Sequence, residues 1–187
     1  MNDILGYTTP VELEVISSWA KHVPENSTVV ELGSFFGRSS IAWVENAHPS
    51  IKIYCIDWFL ENLYIDWNDG TQPSYPAKGV TYNVWESFLD NTKNYSNIIP
   101  LRGNSPKDIT YPGDLIDVLF IDLHHQNPVD IDNLNFFIPF MKPKGVICGH
   151  DYCDAWPDVK DNVKFLEEKF NKTATFYEGT TLWKINL

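Results

Sequence analysis

The chain repeats one alternation. A short apolar run ends in an acid, a glycine or a small polar residue, and a stretch with helical spacing follows. "TVVEL" (28–32), "IKIYCID" (51–57), "NIIPLRG" (97–103), "IDVLFID" (116–122) and "GVICGHD" (145–151) are the five runs. Before the first, "TPVELEVISSWAKH" carries a capping box: Thr9 as N-cap, Pro10 at the first helical position and Glu12 at the third. Helical spacing places Val11, Val15 and Trp19 on one face, with Ile16 and Ala20 beside them. A second helix is expected from the turn after Leu32 to about Ala47, and a third in "VTYNVWESFLDNTKNY". "PVDIDNLNFFIPFM", opened by Pro128, and "DVKDNVKFLEEKF", with Val159, Val163, Leu166 and Phe170 on one face, supply two more. "TATFYEG" and "TTLWKINL" close the chain as a hairpin joined at Glu178 and Gly179. Strands alternating with helices require a mostly parallel sheet covered on both faces, here with an antiparallel hairpin at its end. In such sheets ligands gather at the carboxyl ends of the strands. Here those ends read Glu31–Gly33, Asp57, Gly103–Ser105, Asp122 and His150–Asp151, so four of the five bear a carboxylate.

Composition narrows the function classes. At 187 residues, with 43% hydrophobic content, the chain is expected to form a single domain over 1–187 with a substantial core. Fourteen Lys and Arg against 25 Asp and Glu give a formal charge of −11, a field that repels phosphate backbones, so no nucleic-acid partner is expected. Cys55, Cys148 and Cys153 show no zinc spacing, and their odd number disfavours a disulfide framework. The opening "MNDILGYTTP" lacks a basic head and apolar signal core, and no run reaches membrane-spanning length. The expectation is a cytoplasmic protein with no membrane partner, as monomer or homodimer.

The turn after the first strand, "VVELGSFFGRSS", selects among cofactors. Gly33 allows a tight exit from the strand, and Gly37 lets the next helix start close to the sheet. A dinucleotide turn has a glycine between these two, so that backbone can approach a pyrophosphate; Phe35 obstructs that approach. S-adenosylmethionine has no pyrophosphate, so a turn with only the outer glycines accepts it. Asp57 can receive the two ribose hydroxyls, and Glu31 can act as an acceptor for an ammonium, directly or through its neighbours.

Taken together, "VVELGSFFGRSS", "IYCIDW", "LRGNS", "VLFIDLHH" and "GVICGHDY" make the sequence resemble class I S-adenosylmethionine-dependent methyltransferases over about Thr28 to Phe170. The similarity is strongest to the small-molecule O-methyltransferase branch, of the catechol and macrolide-sugar types. The resemblance implies a Rossmann-like α/β class I methyltransferase fold. It implies that Glu31, Gly33 and Ser39 line the methionine end of the cofactor, with Phe35 an aromatic beside it. It places Asp57 at the ribose and Asn104 and Ser105 at the adenine; Ser34, Gly37, Trp58 and Asp122 complete the expected cofactor contacts. Asp122, His150 and Asp151 fall where metal-dependent members hold a divalent cation such as Mg, and His125 falls at the general-base position, with His124 beside it. Departures accompany the match: Leu123, His124 and Asn127 replace a glycine, an acid and a tyrosine common in relatives, and His150 replaces an oxygen ligand.

The reading is therefore a methyltransferase acting on a hydroxyl of a small molecule, sugar or phenol-like, with His125 taking the acceptor proton and Asp122 and Asp151 binding the cation. Two alternatives stand beside it. One is a catalytically silent S-adenosylmethionine- or nucleoside-binding module working through partners; the other, disfavoured by Phe35, is an NAD-dependent dehydrogenase. The stretch 57–85 holds Trp58, Phe59, Tyr64, Trp67, Tyr75, Tyr82 and Trp85 and is expected to contribute both packing and a lid over the acceptor. "DAWPD" after the fifth strand is expected at the same rim.

Overall fold

The computed structural model describes residues 3–66 and 75–187. Its elements run α1 (Pro10–Ala20), β1 (Thr28–Leu32), α2 (Arg38–Asn46), β2 (Lys52–Asp57), β3 (Leu63–Tyr64), β4 (Thr81–Tyr82), α3 (Val84–Thr92) and β5 (Ile98–Arg102). They continue with β6 (Ile116–Ile121), α4 (Val129–Phe137), β7 (Met141–Gly149), α5 (Pro157–Phe170), β8 (Thr175–Phe176) and β9 (Trp183–Asn186). Seven strands form one sheet in the order β5-β2-β1-β6-β7-β9-β8; β1 pairs parallel with both β2 and β6. The chain leaves β1 to one side and later returns to β6 on the other, which makes the carboxyl ends of these two strands the switch point of the sheet.

Alternate residues of each inner strand serve opposite faces, as a sheet buried on both sides requires. Val29, Ile53, Cys55, Val118 and Phe120 join Leu13, Ile16, Trp43 and Phe88 in one core, beneath α1, α2 and α3. Val30, Leu32, Ile56, Leu119 and Ile121 join Leu134, Phe137, Val163 and Leu166 in the other, beneath α4 and α5. Pro100 is tolerated because β5 is an edge strand with only β2 beside it. The C-terminal pair β8–β9 adds an antiparallel end to the sheet, as expected, with β9 against β7 and β8 outermost.

Two expectations change. Val11 is 51% exposed; α1 buries Leu13, Ile16, Trp19 and Ala20 together with Glu12 and Ser17, so its inner face is rotated from the apolar stripe toward two polar residues that have partners inside. In the aromatic stretch, β3 and β4 form a small antiparallel pair with no clear signature in the sequence. Phe59 and Trp85 pack in the core against each other and, through Phe59, on Phe88, whereas Trp58 and Tyr75 face a cavity. The proposed lid around 70–79 lies partly, and Trp67 wholly, outside the described residues. Among the described residues no helix is long and apolar enough to cross a membrane.

Glu12 is the buried polar centre of α1. Its Oε2 accepts from the Thr9 N–H and Oγ1, both at 2.9 Å, and its Oε1 accepts from the Thr181 N–H at 3.1 Å and the Thr181 Oγ1 at 3.2 Å. One carboxylate thus caps α1 and ties it to the turn before β9. Burial alone would push its pKa up, but His150, Thr9 and Thr181 outweigh burial and hold it at about 2 instead of 4.5. Its contribution to stability is therefore fully present above about pH 4.5 and is lost as pH falls toward about 2. Glu12→Ala is expected to cost about 3 kcal/mol at neutral pH. Urea unfolding should show the gap from wild type narrowing at roughly pH 3; a gap that stays constant with pH would contradict this role.

Candidate active site

The site begins at the Gly33 turn. Gly33 has φ +88°, and a Cβ there would lie 1.8 Å from the carbonyl oxygen of Asp122. The Gly33 N–H donates to Ile56 O and the Asp122 N–H to Leu32 O, each at 2.8 Å, so the tips of β1, β2 and β6 are drawn together. Gly37, at φ +87°, is the N-cap of α2, and a Cβ there would press on Thr92 and Phe88 of α3 at 3.1 and 3.2 Å. Both glycines are thus required for close approach. Between them Phe35 occupies the left-handed region at φ +48°, with its ring against Phe36 and stacked on Tyr7.

Asp57 locks this turn. Its Oδ2 accepts from the Phe35 N–H at 2.9 Å and its Oδ1 from the Phe59 N–H at 2.7 Å. Burial pushes its pKa up while those N–H groups oppose the shift. Each oxygen retains a second lone pair, so the carboxylate can brace the turn and still receive hydroxyls from the cavity it lines.

That cavity has a volume of about 660 Å³, in the range of small-molecule sites. Gly33, Ser34, Phe35, Ser39, Asp57 and Trp58 line it, as do Asn104 and Ser105 at the end of β5 and Asp122, His124 and His125 after β6. His150 and Asp151 reach it from β7, and Trp156 of "DAWPD" lies on its rim. Of the expected site residues only Glu31 and Gly37 are off the wall. Glu31 is fully buried; Ser40 donates to its Oε2, and Ser34 and Ser39 stand near it. Burial pushes the Glu31 carboxyl up against the pull of those hydroxyls. Glu31 Oε1 and Ser34 Oγ remain buried without a well-aligned hydrogen-bond partner, so unused polar capacity underlies the turn where a zwitterionic tail would fit.

On the nucleoside side the Trp58 Nε1–H donates to Asn104 Oδ1 at 3.1 Å, and the Trp58 ring packs on that of His124 at 5.1 Å. Ser105 spends its hydroxyl on Asn133 Oδ1, at 2.5 Å, leaving its backbone and position to the cavity. His124 thus joins an aromatic wall beside the acid–base group.

That group is a chain of five side chains. His125 Nε2 lies 2.8 Å from Asp151 Oδ2 and 3.3 Å from Asp122 Oδ1; His150 Nδ1 lies 2.9 Å from Asp151 Oδ2, and His150 Nε2 lies 3.1 Å from Glu12 Oε1. The His150 contacts are close but off the line of a good hydrogen bond, so we treat them as ion pairs. Burial opposes charge on His125, yet Asp122 and Asp151 outweigh it and raise its pKa to about 10. For Asp151 burial works upward, but His125 and His150 hold it well below the usual carboxylate range. His125 is consequently not a free base; it carries its proton between two carboxylates at neutral pH. Both His125 and Asp151 sit at positive φ, +60° and +62°, strain of the kind held at functional sites.

The expected cation set was Asp122, His150 and Asp151. These three lie together, with His150 Nδ1 2.9 Å from Asp151 Oδ2 and 3.8 Å from Asp122 Oδ1, and among the described residues the donor atoms of Asp122, His125 and Asp151 also converge within 4.8 Å. Two carboxylates and an imidazole suit a divalent ion.

Three contributors escaped the sequence reading. Glu12 signalled only a helix cap. Arg38 and the segment Leu5–Thr9, which forms one wall of the cavity, had no motif to announce them.

Comparison with known proteins places this geometry. Solved structures with the same fold include CalS11, a calicheamicin methyltransferase, at 14% identity and TM-score 0.67, covering 94% of this chain and 77% of that one. The O-methyltransferase NovP gives 19% and 0.66, over 93% and 78%. An rRNA methylase from Streptococcus thermophilus gives 12% and 0.62, over 97% and 96%. A search of curated proteins finds no significant match. The sequence model of the family described as "Methyltransferase domain" matches residues 30–152, more than half of the 187. The match runs from β1 through the tip of β7, the span that supplies the turn, Asp57 and the Asp122–His125–Asp151 group, and the chain belongs to that methyltransferase family.

Proposed function

We propose that the protein is an S-adenosylmethionine-dependent methyltransferase acting on a hydroxyl of a small molecule. One observation carries the reading: a single cavity of about 660 Å³ contains both a nucleoside cradle at Gly33, Asp57 and Asn104 and a proton-holding group at Asp122, His125 and Asp151. Neighbours in fold are named for substrates as different as calicheamicin and rRNA; the formal charge of −11 favours a small molecule here.

When bound, S-adenosylmethionine supplies a methyl group on a sulfonium, so the chain need not assist the leaving group. Its own task is to align a nucleophile and accept a proton. Asp57 fixes the turn and receives ribose hydroxyls; Trp58 and Asn104 hold the base side. The acceptor's hydroxyl proton passes to a carboxylate oxygen of Asp122, which His125 holds in place beside Asp151, while Glu12 steadies His150 behind them. Asp122, His125 and Asp151 would hold a divalent cation once His125 gives up its proton, and the chemistry supplied there would be to lower the pKa of an acceptor hydroxyl.

Transfer of label from methyl-labelled S-adenosylmethionine to a panel of phenols and sugars tests the assignment. With any acceptor so found, His125→Ala and Asp151→Asn should each lower kcat at least about 100-fold; a rate near wild type in either removes that residue from the reaction. Cofactor binding without transfer to any acceptor would favour a silent binding module.

The cation is tested separately. Titration with Mn, followed by electron paramagnetic resonance, should show one bound ion whose affinity falls at least about tenfold in Asp122→Asn. Undiminished activity after exhaustive chelation would rule out a required metal.

A further inference from the structure

Arg38, the first residue of α2, is 3% exposed and stands on the cavity wall. Among the described residues no carboxylate pairs with it. Among those residues its hydrogen bond runs from Nη1 to Gly6 O at 3.2 Å, and Nε has no partner there. A guanidinium offers five N–H donors, and burying one without a counter-ion is costly. The cost falls where an anion enters the cavity and pairs with it.

Two independent features point the same way. Arg38 opens a nine-residue helix whose N-cap, Gly37, offers no side chain to the free N–H groups, so the backbone field there also favours an anion. Arg38 is also the one lysine or arginine on the described wall, facing Glu12, Asp57, Asp122 and Asp151. His125 and His150 are already held by those carboxylates, so among the described wall residues Arg38 is the cation left for an incoming anion.

The surroundings of Arg38 describe the rest of the ligand. Gly6 lies across its stem, where a Cβ would come within 3.1 Å of Arg38 Cδ. The next residue, Tyr7, stacks on Phe35 at 5.6 Å with 18° between the rings and meets Tyr75 edge-on at 5.0 Å. These aromatic walls come from the segment before α1 and the stretch between β3 and β4, outside the strand tips that form the nucleoside cradle.

We propose that the acceptor is an aromatic hydroxy acid: its carboxylate pairs with Arg38 through the planar guanidinium, and its hydroxyl faces the Asp122–His125–Asp151 group. The proposal rests on the methyltransferase reading above and adds the acceptor's chemical class. A guanidinium matches a carboxylate with two parallel N–H donors, which a neutral amide or alcohol cannot exploit equally. The donor's amino acid tail is the competing source of a carboxylate, and the test separates the two.

The full chain, saturated with S-adenosylhomocysteine, is titrated calorimetrically with 4-hydroxybenzoate, 3,4-dihydroxybenzoate and 4-hydroxyphenylacetate, each against its primary amide. At least one acid should bind about tenfold or more tighter than its amide. That preference should fall below about twofold in Arg38→Met and be intermediate in Arg38→Lys, while affinity for S-adenosylhomocysteine stays as in wild type. If no acid outbinds its amide, the proposal is overturned. It is overturned equally if Arg38→Met weakens S-adenosylhomocysteine binding and leaves the acid preference intact, for then the arginine grips the donor. Should Arg38→Met not fold, the wild-type panel and Arg38→Lys decide. Absence of S-adenosylhomocysteine binding to wild type would instead refute the methyltransferase reading itself.

Discussion

The contact on which the rest depends is backbone against backbone. Gly33 lies so near the Asp122 carbonyl that no side chain fits between them. That approach makes β1 and β6 end at one place, and the Gly33 N–H bond to Ile56 O adds β2. Asp57 then clamps the turn through the Phe35 and Phe59 N–H groups. A loop held this tightly is preorganised: its polar groups are positioned before a ligand arrives, so binding energy is not spent on ordering them. Phe35 fills the position that a dinucleotide turn leaves open, and the same clamp that bends the chain there aims its ring toward Tyr7.

Charge is distributed with a second logic. The chain is strongly acidic, and its cavity carries four carboxylates, yet these are not equivalent. Glu12 is kept ionised until the pH falls to about 2 by donors on three sides, Asp151 is held ionised by two histidines, and Asp57 is pushed the other way by burial. The histidines are in turn held protonated by the acids. Glu12, His150, Asp151, His125 and Asp122 thus form a connected group in which each charge is the reason its neighbour stays charged. Because Glu12 also caps α1, the wall formed by Leu5–Thr9 is mechanically joined to the acid–base group.

The fold was legible in the sequence because its signals are local. Five apolar runs with polar tips, two glycines and a Thr9–Glu12 capping box define strands, turn and helix start without knowledge of contacts. The tips announced the site for the same reason: Asp57, Asn104, Asp122 and Asp151 are where strands end. Partnership was not legible. Val11 looked like the core face of α1, and Glu12 like a cap, because nothing local shows that Thr181 and His150, well over a hundred residues away, complete Glu12. His125 read as a base from its residue type and its place in the family resemblance; that two carboxylates close on its Nε2 is a fact of three-dimensional packing.

The central claim is that the tips of β1, β2, β5 and β6 converge on one adenosyl sulfonium donor. A crystal structure grown with S-adenosylhomocysteine tests it most directly. The account expects the nucleoside in contact with Gly33, Asp57 and Asn104, and the thioether sulfur facing Asp122 and His125. A nucleoside bound elsewhere, or a sulfur turned away from that group, would contradict it.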